Sequence, residues 1–432
     1  MQPGARLQAA IEVLHEILDR HRPASQALSD WGRAHRFAGS GDRAAIGNIV
    51  FDALRKRNSF AWRMGADTAP ALALGVLAHG WGEPAEAIGA MCAGGRTPEP
   101  LSEAERAGLA AQPDMEAPDW VRGDYPQWLA DEFMAAFGAG AVAQGAALAE
   151  RAPVDVRVNR LKADRAKVMK ALREYAPEET PFSPVGVRLP VRARHHKAPK
   201  IEADAAHGKG WFEVQDEGSQ VSALLAGAGP REQVADVCAG AGGKTLAFAA
   251  QMDNTGQIYA YDADKTRLRP IFERLKRAGA RNVQVLPAGD ESALEALAGR
   301  MDVVLVDAPC SGSGAWRRRP DAKWRLSAQA LEKRHAEQRA VLAQAAPLVK
   351  PGGRLVYVTC SVLPSENAAQ AAWFLGEHPD FAPVPPEQTW RESLSAPFPG
   401  SAAANADANT LLLTPATHGT DGFFVAIFRR MA

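Results

Sequence analysis

The chain has 432 residues, 46% hydrophobic and 23% charged, with 50 Lys and Arg against 50 Asp and Glu. That length allows two or three domains, and the composition is that of an ordinary globular protein, not a disordered or fibrous one. A formal net charge of zero excludes nucleic-acid binding by bulk charge, so any such footprint must be local. No apolar run approaches the roughly 20 residues that span a bilayer. The N-terminus lacks a basic segment leading into an apolar core, so no signal peptide is expected. The cysteines Cys92, Cys238, Cys310 and Cys360 show no CxxC and no paired ligand spacing. Neither a metal site nor a disulfide framework is indicated, and a reducing, cytoplasmic setting fits.

Residues 1–80 read as helical. Leu7, Ala10, Ile11, Leu14, Ile17 and Leu18 recur at helical spacing, and Ile46, Ile49, Val50 and Leu54 form a second stripe ending in Arg55-Lys56-Arg57. Cations at a helix C-terminus complement its dipole, so a solvated end explains that triplet as well as RNA contact does. Residues 93–118, rich in Gly, Pro, Glu and Ala, read as a linker. Residues 117–150 read as helical again. Val154 to Val158 alternates like a strand and opens a basic segment. Between 151 and 215 stand 14 Lys and Arg against 8 Asp and Glu. Arg192, Arg194, His195, His196, Lys197 and Lys200 crowd one stretch that could grip a phosphate backbone. A solvated surface explains it equally well.

From about residue 230 strands and helices alternate. Val234–Cys238, Gln257–Asp262, Val283–Leu286, Val303–Asp307 and Leu355–Thr359 are short apolar or β-branched runs, each followed by a helical stretch. Residues 396–418 read as a loop, and Phe423–Phe428 as a final strand antiparallel to the rest. This pattern predicts a doubly wound, Rossmann-like α/β domain. The expected organisation is a helical domain with linker over 1–116, a basic α+β module over 117–212 and the Rossmann-like domain over 213–432.

Gly240, Gly242 and Gly243 lie in the turn after the first strand of that domain, where glycines let backbone N–H groups approach a ligand. Asp262 ends the second strand, where an acid takes ribose hydroxyls. Three ligand classes could own such a turn. A dinucleotide site wants a third glycine where Thr245 stands. A P-loop wants a first glycine where Cys238 stands. S-adenosylmethionine (SAM) has no phosphate and needs only the glycine turn, the ribose acid and an adenine partner, for which Asp290 is suitably placed. SAM is the best fit.

Two strands then deliver Asp307, Cys310 and Cys360 to the sheet's carboxyl edge, where ligands of open α/β sheets bind. Cytosine C5 is a poor nucleophile until a thiolate adds at C6, so a methyl donor beside two thiols favours C5 methylation of a pyrimidine. Asp307 could hydrogen-bond the ring and draw charge off C6. Target bases must leave their stack for this chemistry. Trp316-Arg-Arg-Arg319, with Lys323, Trp324 and Arg325, offers cations and aromatics for that purpose, although packing under a loop is the commoner fate of a tryptophan.

Cys238-Ala-Gly-Ala-Gly-Gly-Lys-Thr245, Asp307-Ala-Pro-Cys-Ser-Gly-Ser-Gly314, Thr359-Cys-Ser361 with Glu366-Asn367, and Asp421-Gly-Phe-Phe424 resemble the motifs of the RsmB/Sun family of RNA 5-methylcytosine methyltransferases. Arg157-Val-Asn159 and Phe212–Gln220 match its earlier motifs, and the first ~80 residues resemble the NusB-like helical domain attached to the bacterial 16S rRNA enzyme of this family. The resemblance implies Cys360 as nucleophile, Cys310 as the thiol that assists product release, and Asp307 as a contact to both base and cofactor. It implies SAM held by Cys238, Ala239, Gly240, Ala241, Gly242, Gly243, Lys244, Asp262, Arg267, Asp290 and Asp307. The implied partner is RNA, with 16S rRNA the expected target, and neither membrane nor metal. A tRNA target and a catalytically vestigial assembly factor are the alternatives. One departure stands out: Gly240-Ala241 replaces the family's Ala-Pro. DNA cytosine enzymes use the Pro-Cys thiol as nucleophile, so chemistry alone does not choose between the two cysteines.

Overall fold

The computed structural model describes residues 1–191 and 199–432. Arg192, Arg194, His195, His196 and Lys197 of the basic run lie outside the described residues.

The first ~110 residues form helices around a core that includes Leu7, Leu14, Ile46, Val50, Leu54 and Leu72. Helices Pro3–Leu18 and Ser40–Arg55 pack against each other along the two predicted stripes. The stretch expected as a linker contains a helix, Glu103–Ala110, started by a capping box in which Ser102 and Glu105 satisfy each other's backbone N–H groups. Its apolar anchors, Leu101 and Leu109, join the helical core.

Four strands, β1 (Val154–Val158), β2 (Glu178–Glu179), β3 (Gly186–Leu189) and β4 (Phe212–Val214), make a small antiparallel sheet in the order β2-β3-β1-β4. Period-two alternation divides β1. Val156 and Val158 face a small core with Val168, Leu172 and Phe212, while Asp155 and Arg157 point the other way. Because β4 belongs to this sheet, the boundary expected at 212/213 falls within a strand. The helices Ala130–Phe137 and Ala141–Leu148, grouped at the sequence level with the basic module, bury Phe133, Phe137 and Leu148 in the core of the large sheet instead.

That large sheet comprises β5 (Gln233–Asp236), β6 (Gln257–Ala260), β7 (Val283–Val285), β8 (Met301–Asp307), β9 (Val349–Thr359), β10 (Phe381–Val384), β11 (Thr410–Leu413) and β12 (Phe423–Arg430). Its order is β10-β12-β9-β8-β5-β6-β7, with β11 also on β12. Strands β5 to β9 run parallel, and β12 is antiparallel to β9. The order reverses between β6 and β8 on either side of β5, which opens a ligand crevice at the carboxyl end of β5. Strand β9 starts earlier than its apolar run. Val349 pairs with Met301 and Arg354 with Val303, so Pro351-Gly-Gly353 bulges out of the ladder. The expected loop 396–418 holds β11 and a short helix, Pro415–His418.

Trp316–Arg325 stitches the three parts together. Arg317 and Arg318 pair with Asp216 and Asp421. Arg55 donates from Nε and Nη2 to the Arg317 carbonyl at 3.2 Å each. Lys323 donates to the Arg55 carbonyl at 2.8 Å and to that of Asp124, and burial pushes its ammonium down to about 8. Trp316 is buried beside Phe133, and the Trp324 indole donates to the Leu54 carbonyl. Trp316, Arg317, Lys323 and Trp324 are thus engaged within the protein, while Arg319 and Arg325 are exposed. The Arg55-Lys56-Arg57 triplet is likewise engaged: Arg55 with Asp52, Lys56 with Glu150 and Arg57 with Asp67.

Candidate active site

The turn after β5 is built by backbone conformation. Gly240 and Gly242 both have positive φ, at 50° and 84°, where a side chain is strained. A Cβ on Gly242 would lie 2.5 Å from Ile271. The turn is braced from both sides. Gly240 N–H donates to the Asp262 carboxylate at 2.9 Å. Arg274 donates to the Ala241 carbonyl at 2.9 Å, and Arg157, from the small sheet, donates to the Gly243 carbonyl at 2.7 Å. These anchors supply the rigidity that the missing proline would have given.

Thr245, where a dinucleotide site would carry glycine, donates to the buried Asp236 at 2.7 Å. Burial raises that carboxyl to about 7 despite the Thr245 bond, with the negative charges of Asp307 and Asp262 adding to the rise. Lys244 is buried and gives its ammonium to Asp307 at 2.6 Å.

Beside the turn lies a cleft of about 680 Å³ whose lining includes Cys238, Asp262, Arg267, Glu291, Leu294 and Pro309. Asp262 is buried at its wall. It accepts from Gly240 N–H and from Asp264 N–H at 2.9 Å each, and a carboxylate has lone pairs left for ribose hydroxyls. Arg267 Nη2 stands 3.9 Å from Asp262. Burial, and then the surrounding carboxylates, push the Cys238 thiol well above its ordinary range, so it is a neutral wall. Asp290 does not line this cleft. It caps the helix Glu291–Glu295, bonds Ser292 and Ala293, and is held below the usual carboxylate range by the Ser292 hydroxyl. The helix it caps supplies the wall.

At the ends of β8 and β9, Cys310 Sγ and Cys360 Sγ lie 3.5 Å apart. Two networks that sequence reasoning did not assemble fix them. Glu366, fully buried, accepts from Ser311 N–H at 2.7 Å and from Gln338 at 3.1 Å. It thereby clamps the residue after Cys310. Ser313 Oγ accepts from Val362 N–H at 2.9 Å, and Asn367 donates to the Ser361 carbonyl at 2.9 Å, which ties down the loop after Cys360. The Gly314 N–H reaches the Cys360 carbonyl at 3.0 Å. Gly314 and Gly422 meet backbone to backbone, and a Cβ on Gly314 would stand 2.2 Å from the Gly422 carbonyl oxygen. That contact accounts for glycine in both motifs. The available signal was Glu366 itself, an acid six residues beyond a strand-end cysteine. The Cys360 sulfur, followed by burial, pushes the Cys310 thiol well above its ordinary value.

A family model described as 16S rRNA methyltransferase RsmB/F matches residues 224–429, and one described as the RsmF/B-like ferredoxin-like domain matches residues 125–194. The chain is 33% identical over 311 residues to the probable ribosomal RNA small subunit methyltransferase B of a Synechocystis strain, covering 71% of this chain and 67% of that protein. The chain belongs to the RsmB/F family. It is also 32% identical over 277 residues to the ribosomal RNA small subunit methyltransferase F of Escherichia fergusonii, covering 64% of this chain and 56% of that one. It thus spans about two thirds of the B-type relative and little more than half of the F-type relative. The crystal structure of PH0851 superposes with a TM-score of 0.74 at 25% identity, covering 100% of this chain and 99% of that one. SAM is the cofactor of such a methyltransferase domain, and the glycine turn, the ribose acid and the size of the cleft fit it.

Proposed function

We propose that this chain methylates C5 of a cytosine in 16S rRNA, with Cys360 as the covalent nucleophile. The observation that carries the reading is the pair of sulfurs 3.5 Å apart at adjacent strand ends, with Pro309, the neighbour of Cys310, on the wall of a cleft of cofactor size whose lining includes neither sulfur. Bound SAM supplies an electrophilic methyl group.

The chain's residues do the rest. Cys360 thiolate adds to C6, the C5–C6 double bond opens, and its electrons make C5 nucleophilic. Asp307, held by Lys244, accepts a hydrogen bond from the exocyclic amine and orients the ring. After methylation the C5 proton leaves to a base, the double bond re-forms and the Cys360 thiolate departs. Cys310, 3.5 Å from the Cys360 sulfur, is the thiol placed to assist release of the methylated product. The proposed cofactor contacts are the turn Cys238–Gly243, with Asp262 and Arg267. Lys244 acts through Asp307, and Asp290 acts through the helix it caps.

Cys360→Ala is expected to lower methyl transfer by about three orders of magnitude or more and to leave no protein–RNA adduct. Cys310→Ala is expected to accumulate the adduct on a denaturing gel. Adduct in the Cys360 variant alone would reverse the two roles. Loss of both SAM binding and tritiated methyl transfer in the wild type would favour an assembly factor.

A further inference from the structure

The small sheet cannot present an open face to RNA, although such a face is the usual platform of small RNA-binding sheets. Asp155 is taken by Arg188, at 2.7 Å to each oxygen, and by Glu217 N–H at 3.1 Å. Arg157 is taken by the cofactor turn. Among the described residues of this module, the side open to RNA is the one where the helix Arg165–Ala171 lies.

That side carries an arrangement that the catalytic chemistry leaves unused. Lys167 and Lys209 bring their ammonium groups to 4.0 and 5.0 Å from the centroid of the Trp211 ring. Lys167, Lys170, Arg173 and Trp211 line a hollow of about 460 Å³, which Glu174 also borders. Lys167, Lys170, Arg173 and Lys209 are exposed. Among the described residues, none of the four has a carboxylate within ion-pair distance, whereas Arg165 on the same helix is paired with Glu179. Four cations gathered around one ring against the single acid Glu174 repel one another, and a bound polyanion removes that cost.

The backbone that carries the ring is fixed. Trp211 N–H donates to the Ala206 carbonyl at 3.0 Å, and its own carbonyl accepts from Asn159 N–H at 2.8 Å. The Asn159 amide bridges Gly210 and Ala278, and a Cβ on Gly210 would stand 2.0 Å from the Arg277 carbonyl oxygen. Trp211 is therefore held at the joint between the small module and the catalytic domain. From there β4 leads in four residues, about 13 Å of extended chain, to Gln215, which bonds the Arg157 that braces the cofactor turn.

We propose that Lys167, Lys170, Arg173 and Lys209 around Trp211 form a phosphate-binding site for the rRNA strand flanking the target cytosine. Trp211 is the positioning residue that holds two of the ammonium groups. The inference rests on the rRNA reading above and deepens it.

The test compares the full-length wild type with Lys167→Ala/Lys170→Ala/Lys209→Ala, using an in vitro transcript of 16S rRNA at several salt concentrations. The variant is expected to bind about tenfold to a hundredfold more weakly near physiological salt, with the slope of log affinity against log salt reduced by about 2 to 3. KM for RNA rises, while kcat at saturating RNA and SAM affinity stay unchanged. Equal affinities and equal slopes overturn the site and leave the methylation reading standing. A transcript that stays unmethylated yet binds the wild type more tightly than the variant overturns the methylation reading and upholds the site. A wild type that ignores the transcript overturns both.

Discussion

Trp316-Arg-Arg-Arg319 and the helix Arg165–Ala171 with Lys209 and Trp211 each set several cations beside an indole. Arg317 and Arg318 of the first are spent on buried acids, whereas Lys167, Lys170 and Lys209 of the second face water. Arg317 is buried, with its charge spent on Asp216 and Asp421, while Lys167, Lys170 and Lys209 have no such partner among the described residues. Local composition does not separate these cases. The partners of Arg317 lie about a hundred residues away on either side, so only the fold brings them to it. A buried cation in a closed network is structural cement, and an exposed cluster in which cations outnumber acids is a surface that can take an anion.

This contrast can be broken at several strengths. The largest expected effect on stability is at the cement: Arg317→Ala together with Arg318→Ala strands two buried carboxylates and should cost about 3–5 kcal/mol. Lys167→Ala should stay within roughly 0.5 kcal/mol. Denaturant unfolding of both variants checks the pair, and comparable losses would erase the distinction.

Next comes Asp236→Asn. The folded carboxyl, raised to about 7, binds a proton that the unfolded chain releases near pH 4. Wild-type stability should therefore fall as pH rises from about 4 to 7, and the asparagine variant should gain on it by about 2–4 kcal/mol over that span. A gap that does not widen with pH contradicts the assignment.

A smaller and opposite trend is expected at Lys323→Met. Lys323, depressed to about 8 by burial, destabilises the fold fully below that pH, and the penalty fades as pH climbs toward the unfolded value near 10.4. The advantage of methionine, reduced by the lost bonds to Arg55 and Asp124, should accordingly shrink above pH 8. An advantage that grows with pH would contradict the assignment.

Legibility followed the range of the interactions. The parallel strands were readable because Val303–Asp307 and Leu355–Thr359 are dense apolar runs bounded by glycine or charge, and such runs need no distant partner to declare themselves. The thiols and Asp307 were readable because they end those runs. Strand β11 was not, since Leu411-Leu-Leu413 is three apolar residues inside a polar stretch and exists only through pairing with β12. Helix Glu103–Ala110 carried a readable start in Ser102 and Glu105, but too few apolar residues to show a stripe. At the site, the turn's glycines were evident, whereas the bracing of that turn by Arg157 and Arg274, and the clamp of Glu366 on Ser311, were not. Each acts across tens of residues, and Arg274 further shares Glu213 with Arg277. Asp290 matched its expected position along the chain yet serves as a helix cap.

The central claim is tested most directly by nucleoside mass spectrometry on 16S rRNA incubated with SAM and either the wild type or Cys360→Ala. The account predicts 5-methylcytidine with the wild type and none with the variant. A methyl group on a ring nitrogen or a ribose oxygen, or 5-methylcytidine formed equally well without the Cys360 sulfur, would contradict it.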